Sequence, residues 1–326
     1  MAGGQKGCRT HSPDFAMIAC SLSDQTCPHC HNSSYTELWE CEDHLVSHEH
    51  YAIGRCNQCG LLQTLMPPPA EELGHYYDSS EYLSHQTEGR GGMARIYRAV
   101  KRYRVGRRVR TARKLCATAP QMMLEVGAGV GAFAYAMQER GCKAYVVEQS
   151  KAARELCAQQ IPSDQLFATT QEFVARHSEL SGQLDLICLW HSLEHLPDLA
   201  DQLEMYQQLL KPGGTLCIAV PNAQSFDASY YRALWAAYDV PRHLWHFTPH
   251  SMRQTVEAHH FTLKKIRPQR LDVYYIALLS ESYKQGGRIN FITWLKAFGV
   301  GFSYHIRSLF TPMRASALLY HFVRQA

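Results

Sequence analysis

Three residues that could do chemistry lie close together in the segment 190–195, which reads WHSLEH. His191, Glu194 and His195 form the pattern H-x-x-E-H, which on a protease helix places both histidines on one face to bind zinc, with a further acidic ligand later in the chain. Here the pattern follows the apolar run LDLICLW and precedes Pro197, so these residues cannot lie inside a helix. We therefore reject the protease interpretation and predict a loop at the end of a buried strand.

A second polar segment, YDVPRHLWHFTPHSM, covers residues 238–252. It follows a predicted strand, on the rim where open α/β sheets bind their ligands. We predict that its polar side chains contact a substrate, namely Asp239, Arg242, His243 and His246.

The strongest metal signal is a pair of C-x-x-C motifs, CPHC at 27–30 and CNQC at 56–59. A two-residue gap lets both thiolates turn toward one ion, and two such pairs complete a closed tetrahedral site. We predict a structural zinc ion held by Cys27, Cys30, Cys56 and Cys59. Cys41, His44, His48 or His50 could replace one of these ligands. The alternating residues between the motifs predict a β-hairpin, and hence a zinc ribbon.

A nucleotide site is predicted where the run MMLEV passes through GAGVGAF into the helical pattern AYAMQER. Gly127, Gly129 and Gly131 permit a tight turn and a close approach of the backbone to a ligand. Glu148 ends the next strand, where a carboxylate can bind both ribose hydroxyls. Glu125, just before the glycines, would repel a pyrophosphate and disfavours NAD.

The alternation of strands and amphipathic helices predicts an α/β fold. We expect a Rossmann-like, seven-stranded, mostly parallel sheet with helices on both faces and an antiparallel last strand. The predicted divisions are a flexible N-terminus (1–23), the zinc ribbon (24–65), a linker with a basic helix (66–118) and the α/β domain (119–326) with a helical insertion at about 272–310. The tyrosines of HYYDSSEYLSH would either pack or close over the pocket.

Length and composition fit a globular chain of 326 residues with 46% apolar and 19% charged residues. Much of the basic excess lies between Arg95 and Lys114, which suggests a solvated helix docked through Met93, Ile96, Val100 and Tyr103. An acidic partner for this helix is the alternative. No run approaches the about 18 apolar residues of a membrane helix, and we expect a cytoplasmic protein.

Four segments in order resemble successive motifs of the class I S-adenosylmethionine-dependent methyltransferases: LEVGAGVGAF, VVEQS, LDLICLWHSLEHLPD and LLKPGGTLCIAVPN. The resemblance covers roughly residues 90–326 and is greatest to quinone O-methylating enzymes and to enzymes encoded beside surface-polysaccharide genes. It implies S-adenosylmethionine as cofactor, with the methionine end at Glu125 and the glycine loop, the ribose at Glu148 and the adenine near Gln171. The implied cofactor-binding residues are Glu125, Gly127, Ala128, Gly129, Gly131, Glu148, Gln149, Gln171 and Trp190.

The same resemblance places WHSLEH where the methyl group meets its acceptor, so His191, Glu194, His195 and His243 are candidate catalytic residues. His191 or His195 could remove a proton, or the loop could be purely structural. In quinone-methylating and small-RNA 2′-O-methylating relatives, a Glu-x-x-Glu-His pattern and a later histidine bind a divalent metal. Here His191 replaces the first glutamate, so His191, Glu194 and His195, with His243 or His246, could hold a second metal, and imidazoles favour zinc or iron over magnesium.

We therefore predict a methyltransferase acting on a small-molecule or carbohydrate-like acceptor. Two alternatives remain at this point: an RNA or protein acceptor, guided by the ribbon and the basic helix, and a cofactor-binding scaffold without catalysis. The helical insertion would shape the substrate pocket, form a homodimer contact or lie on a membrane surface.

Overall fold

The computed structural model describes residues 19–21, 25–77 and 92–326. Residues 1–23, for which we predicted a flexible N-terminus, therefore lie outside the described residues, except for one short strand at Ala19–Ser21. The strands of the described part are β1 (Ala19–Ser21), β2 (Ser34–Glu42), β3 (His50–Cys56), β4 (Leu62–Thr64), β5 (Met122–Val126), β6 (Lys143–Val147), β7 (Leu166–Phe167), β8 (Leu184–Trp190), β9 (Leu210–Pro221), β10 (Trp245–His246), β11 (Phe261–Gln269) and β12 (Ala317–Arg324).

The α-helices of the described part connect these strands or follow them in the chain. They are α1 (Gly92–Leu115), α2 (Ala132–Gln138), α3 (Lys151–Cys157), α4 (Thr170–Arg176), α5 (Leu199–Leu209), α6 (Phe226–Tyr231), α7 (Pro249–Glu257), α8 (Asp272–Tyr283) and α9 (Phe291–Phe310).

The larger sheet has seven strands in the order β11-β12-β9-β8-β5-β6-β7. The strands from β9 to β7 pair in parallel, whereas β12 is antiparallel to both β9 and β11. This confirms the predicted mostly parallel sheet with an antiparallel last strand. The parallel arrangement brings the carboxyl ends of β5, β6 and β8 to one edge, where the glycine loop and WHSLEH begin.

Both faces of this sheet are buried, as the continuous apolar runs predict. In β8, Ile187 and Leu189 belong to the core on one face, whereas Leu186 and Cys188 belong to the core on the other. Side chains of a strand alternate between its faces, so an uninterrupted apolar strand needs cover on both sides. Helices supply that cover.

The cysteine-rich segment forms a second sheet, in the order β1-β2-β3-β4-β10. β2 and β3 are the predicted hairpin. The last strand, β10, comes from the polar segment 238–252 and pairs with β4 through Trp245 opposite Gln63 and His246 opposite Leu62. The ribbon is therefore continuous with a loop of the α/β domain, and the two share a core.

The basic helix α1 packs on the larger sheet through Val109 and Ala112, both of which are buried. The prediction placed Tyr103 on the docked face, and this was wrong, since its side chain is 56% exposed. The side chains of Met93, Ile96 and Val100 lie outside the described residues.

The segment 272–310, predicted as a helical insertion, consists of α8 and α9 between β11 and β12. α9 begins with a reciprocal cap, in which Asn290 accepts a hydrogen bond from the backbone of Thr293 and the Thr293 hydroxyl accepts one from the backbone of Asn290. No helix of the described residues combines the length and apolarity needed to cross a membrane.

Candidate functional site

The glycine loop joins β5 to α2 in left-handed backbone conformations. Gly127 and Gly131 have φ angles of 73° and 72°. A Cβ atom would lie 2.3 Å from Cβ of Ser192 at Gly127, and 2.4 Å from Sγ of Cys157 at Gly131. Gly129 also has a positive φ, of 58°, but a Cβ atom there would meet nothing within 4 Å. The loop is thus tightly packed beneath Gly127 and Gly131 and open at Gly129.

Two carboxylates fix this loop. Glu148 accepts hydrogen bonds from the backbone N–H groups of Gly129, at 2.7 Å, and Ser150, at 2.9 Å. Glu125 is buried and accepts one from Ala134 at 3.0 Å. Burial raises the pKa of Glu125 to about 8, although the nearby Arg108 guanidinium opposes the shift. Each carboxylate oxygen has two lone pairs, so Glu148 keeps acceptor capacity for a ligand.

The remaining predicted cofactor residues border this edge. Ala128 follows Gly127 in the loop, and Gln149 is exposed directly after Glu148. Gln171, near which the resemblance implies the adenine, lies in the first turn of α4, because Thr169 caps the helix two residues earlier.

A cavity lies between the carboxyl ends of β8 and β9, the basic helix α1 and the start of α8. Trp190 forms part of its wall, and the Arg108 guanidinium stands 4.9 Å from the centre of the indole ring. Nε1 of Trp190 is buried and has no hydrogen-bond partner among the described residues. An unpaired buried donor is costly, so the indole N–H is suited to bind an acceptor group of a ligand.

His191 lies on the wall of the same cavity. Its φ of 59° turns the chain sharply after β8. Nδ1 lies 3.6 Å from Oε1 of Glu194, and Nε2 lies 3.6 Å from Oδ2 of Asp272. Burial alone would lower the pKa of His191, but the two carboxylates outweigh it and raise the pKa to about 9. At neutral pH this imidazole is therefore protonated and cannot accept a further proton.

The structure brings together Glu194, His195 and His243, whose ligand atoms lie within 4.8 Å of one another. The predicted second-metal set was His191, Glu194 and His195 with His243 or His246. Of these, His243 meets Glu194 and His195, whereas His191 and His246 are not part of the cluster. Glu194 is 1% exposed, and neither of its oxygens has a hydrogen-bond partner within normal distance among the described residues. A buried carboxylate without such partners is costly unless a cation or proton is added.

Hydrogen bonds to backbone carbonyls determine which ring nitrogens of the two histidines are available. Nδ1 of His195 lies 3.2 Å from the Arg242 carbonyl and 3.0 Å from the Tyr77 hydroxyl. Nδ1 of His243 lies 2.9 Å from the Ala237 carbonyl. A carbonyl only accepts, so each Nδ1 carries a proton, and Nε2 is the atom that each ring can offer to a ligand. Burial and the neighbouring His243 lower the pKa of His195 to about 4, so that it is neutral. This is the second-coordination arrangement of metal-binding histidines.

The other predicted substrate residues face the ribbon. Arg242 is 1% exposed, and its Nη2 donates to Asp43 of the ribbon at 2.8 Å and to Asp239 at 2.6 Å. Nε2 of His246 lies 3.1 Å from Oγ1 of Thr64. These residues therefore join the ribbon to the loop that carries His243.

The four ribbon cysteines form a second cluster, with all four sulfur atoms within 4.8 Å. Sγ of Cys27 is 3.4 Å from Sγ of Cys59, and Sγ of Cys30 is 3.5 Å from Sγ of Cys56. Burial would raise the pKa of Cys56, but backbone N–H groups of Cys59 and Gln58 lower it to about 7. Cys41 lies in a different apolar cluster, so the four predicted cysteines meet without it.

Four residues of this region were not among the predicted site residues: Asp43, Tyr77, Arg108 and Asp272. Tyr77 belongs to the tyrosine-rich segment and Arg108 to the basic stretch. Composition singled out these two segments, but it did not show which of their residues would lie at the site. No short-range pattern marks Asp43 or Asp272, because each acts on a residue far away in the chain.

A sequence profile of a family described as methyltransferase domain matches residues 97–266, which run from α1 to β11. The chain belongs to this family. Curated relatives of the methyltransferase domain include the ubiquinone biosynthesis O-methyltransferases of Saccharophagus degradans, 29% identical over 32% of this chain and 45% of the relative, and of Aromatoleum aromaticum, 27% identical over 37% and 52%. The chain spans about half the length of these relatives.

Among solved structures, an S-adenosylmethionine-dependent methyltransferase from Archaeoglobus fulgidus is similar to this chain at 17% identity. The similarity covers 76% of this chain and 100% of the other, with a TM-score of 0.46.

Proposed function

We propose that the protein transfers a methyl group from S-adenosylmethionine to a small-molecule acceptor at the carboxyl edge of the larger sheet. The observation that carries this proposal is the glycine loop tied to Glu148, within a chain of the methyltransferase-domain family and beside the polar turn after β8. Reactive groups that meet at one sheet edge fit a two-substrate transfer.

The cofactor would be held by the residues that form the loop and the strand ends around it. Glu148 offers its free lone pairs to a ribose, and open space at Gly129 lets a ligand approach the backbone. Glu125 supports the loop through Ala134. S-adenosylmethionine supplies an activated methyl group, so the protein must mainly orient the acceptor.

The acceptor would lie in the cavity bordered by Trp190, His191 and Asp272. Curated relatives are named for O-methylation in ubiquinone biosynthesis, which supports a hydroxyl on a small molecule. Glu194, His195 and His243 do not line this cavity but adjoin it through His191, and they would hold a divalent metal, which lowers the pKa of a hydroxyl bound to it. His191, already protonated, would position Glu194 and Asp272 and not act as a base. A carbohydrate-like acceptor fits the same polar groups.

The four cysteines would bind structural zinc, because their sulfur atoms already converge. The basic helix is in part engaged by the site itself: Arg104 donates to Asp272 at 3.0 Å and Arg108 covers Trp190. That use disfavours an RNA acceptor. A cytoplasmic location stays a prediction from the sequence.

The test is calorimetric binding of S-adenosylmethionine and S-adenosylhomocysteine, followed by transfer of a labelled methyl group to extracted metabolites. We expect binding in the wild type and its loss in Gly129→Arg, whose side chain would fill the open space. Binding without transfer to any pool would favour the scaffold alternative. Absence of binding would refute the proposal.

A further inference from the structure

Helix α9 presents a row of large apolar side chains to solvent. Phe291, Leu295, Phe298, Phe302, Ile306 and Leu309 recur at intervals of three or four residues, which places them on one face. All six are exposed, Phe291 by 81% and Leu295 by 63%. The 20 residues of the helix give this face a length of about 30 Å. A continuous apolar face of this size marks an interaction surface.

The opposite face of α9 fixes this orientation. Its buried residues are small: Thr293, Ala297, Gly301 and Ser308. At Gly301 a Cβ atom would lie 2.8 Å from the ring of Tyr274 on α8. The helix therefore packs closely on α8 through its small residues, and its large side chains must point away.

The charged residues of α9 and of the sequence that flanks it are all basic. Between residues 282 and 326 the sequence contains no Asp or Glu. Lys296 and Arg307 are exposed at one edge of the apolar row, and Arg288 is exposed in the loop before α9. The face therefore suits a partner that is apolar and anionic. A second copy of the chain would bring basic residues against basic residues, which disfavours self-association.

We propose that the outer face of α9 docks on the surface of a bilayer that contains anionic phospholipids. The apolar row would enter the boundary between headgroups and acyl chains, while Lys296 and Arg307 reach the phosphates. Trp294, at the edge of the row, suits the headgroup level. Docking does not depend on methyl transfer.

This contact would bring the cavity close to the lipid. Arg270 donates to the carbonyl of Ser308 near the end of α9, at 3.5 Å. Leu271 and Asp272, which follow directly, line the cavity. An acceptor dissolved in the bilayer would then have a short path to the site.

The experiment is co-sedimentation of the full chain with vesicles of phosphatidylcholine alone and of phosphatidylcholine with about 30% phosphatidylglycerol, a fraction chosen to give a strongly anionic surface. We expect a bound fraction at least fivefold higher on the anionic vesicles. Phe298→Ser with Phe302→Ser should abolish binding, and Lys296→Glu with Arg307→Glu should reduce it at least fivefold. Matched controls are Leu156→Ser, an exposed leucine on α3, and Lys264→Glu with Lys265→Glu on β11, which should bind as the wild type does.

All substituted side chains are exposed, so circular dichroism and thermal unfolding should stay unchanged in every variant. Light scattering after gel filtration measures whether the protein is a monomer or a dimer, and so tests whether a second copy of the chain covers this face instead. A dimer that the Phe298→Ser and Phe302→Ser changes convert to monomer, together with no vesicle binding, would assign the face to a second copy and overturn the proposal. Equal binding of the wild type and the apolar variant would overturn it as well.

Discussion

At the scale of single residues, Glu194 is the most informative side chain. It is buried, and neither of its oxygens has a hydrogen-bond partner within normal distance among the described residues. Burial alone would raise its pKa, but His191 at 3.6 Å and the neighbouring His243 and His195 lower it. A cation bound by Glu194 together with His195 and His243 would supply the direct contacts that the carboxylate lacks.

We predict that Glu194→Gln destabilises the metal-free protein and removes its response to a second metal. Without added metal, the uncharged amide should lower the free energy of unfolding by about 1 kcal/mol or more, because the protonated His191 loses one of its two carboxylate partners. With a second equivalent of zinc or iron beyond that held by the cysteines, the wild type should gain several degrees in melting temperature and the variant should gain none. Differential scanning calorimetry measures both. If no divalent ion stabilises the wild type beyond the first equivalent, the second metal site does not exist.

The matched control is Glu257→Gln on α7, a carboxylate that forms an ordinary ion pair with Arg253 at 2.8 Å. It should respond to added metal as the wild type does. A comparable loss of metal response in this control would show that the effect of Glu194 is not local.

At the scale of elements, the turn between β5 and α2 contains glycines that are needed for different reasons, and substitutions can separate these reasons. We predict that Gly127→Ala costs about 3 kcal/mol or more, since it combines a positive φ with a clash against Ser192, whereas Gly129→Ala costs about 1 kcal/mol for its backbone alone. Urea unfolding measures the difference. Equal losses at the two positions would contradict the packing described for Gly127.

The main elements could be predicted because they depend on local patterns. β8 is the run LDLICLW, apolar except for Asp185, and the helix after it repeats Leu199, Leu203 and Tyr206. The spacing of apolar residues along a helix could not show what its apolar face contacts. α9 has the pattern of a core helix, yet its small residues face the protein and its large ones face out. β10 is only two residues long, too short for any pattern to reveal its pairing with β4.

The candidate site likewise has parts that local patterns predict and parts that only the fold brings together. The glycine loop and the C-x-x-C pairs were predictable because their residues are neighbours in the chain. The pairing of His243 with Glu194 requires the fold, since a loop after β9 must return to a turn after β8. Arg242 shows the limit most clearly. Its polar segment suggested a substrate contact, but its side chain is 1% exposed and donates to Asp43 of the ribbon.

At the scale of the whole molecule, the ribbon supports the loop that carries His243. Asp43 binds Arg242, Thr64 binds the carbonyl of His243 at 2.6 Å, and Tyr77 contacts His195. Damage to the ribbon should therefore disturb the predicted acceptor side of the site before the cofactor side.

We predict that Asp43→Ala lowers the free energy of unfolding by about 3 kcal/mol, because Arg242 loses one of its buried carboxylates. Methyl transfer should fall at least tenfold while affinity for S-adenosylhomocysteine stays within about twofold, since the glycine loop has no contact with Asp43. Activity assays and calorimetry separate the two effects. Glu40→Ala, an exposed carboxylate on β2, the strand that ends directly before Asp43, should change neither quantity. Equal loss of cofactor affinity and activity would show that the ribbon does not act selectively on the acceptor side of the site.

The pairing of β4 with β10 also has a consequence for synthesis on the ribosome. The four cysteines precede the larger sheet in the chain and can gather around an ion before that sheet is made. The outer edge of β4 is paired only when residues 245 and 246 have been made. Until that moment an exposed strand edge can pair with another nascent chain. Completion of the small sheet is thus delayed until β5 to β9 have been made, and the ribbon would not behave as an independent module if expressed alone.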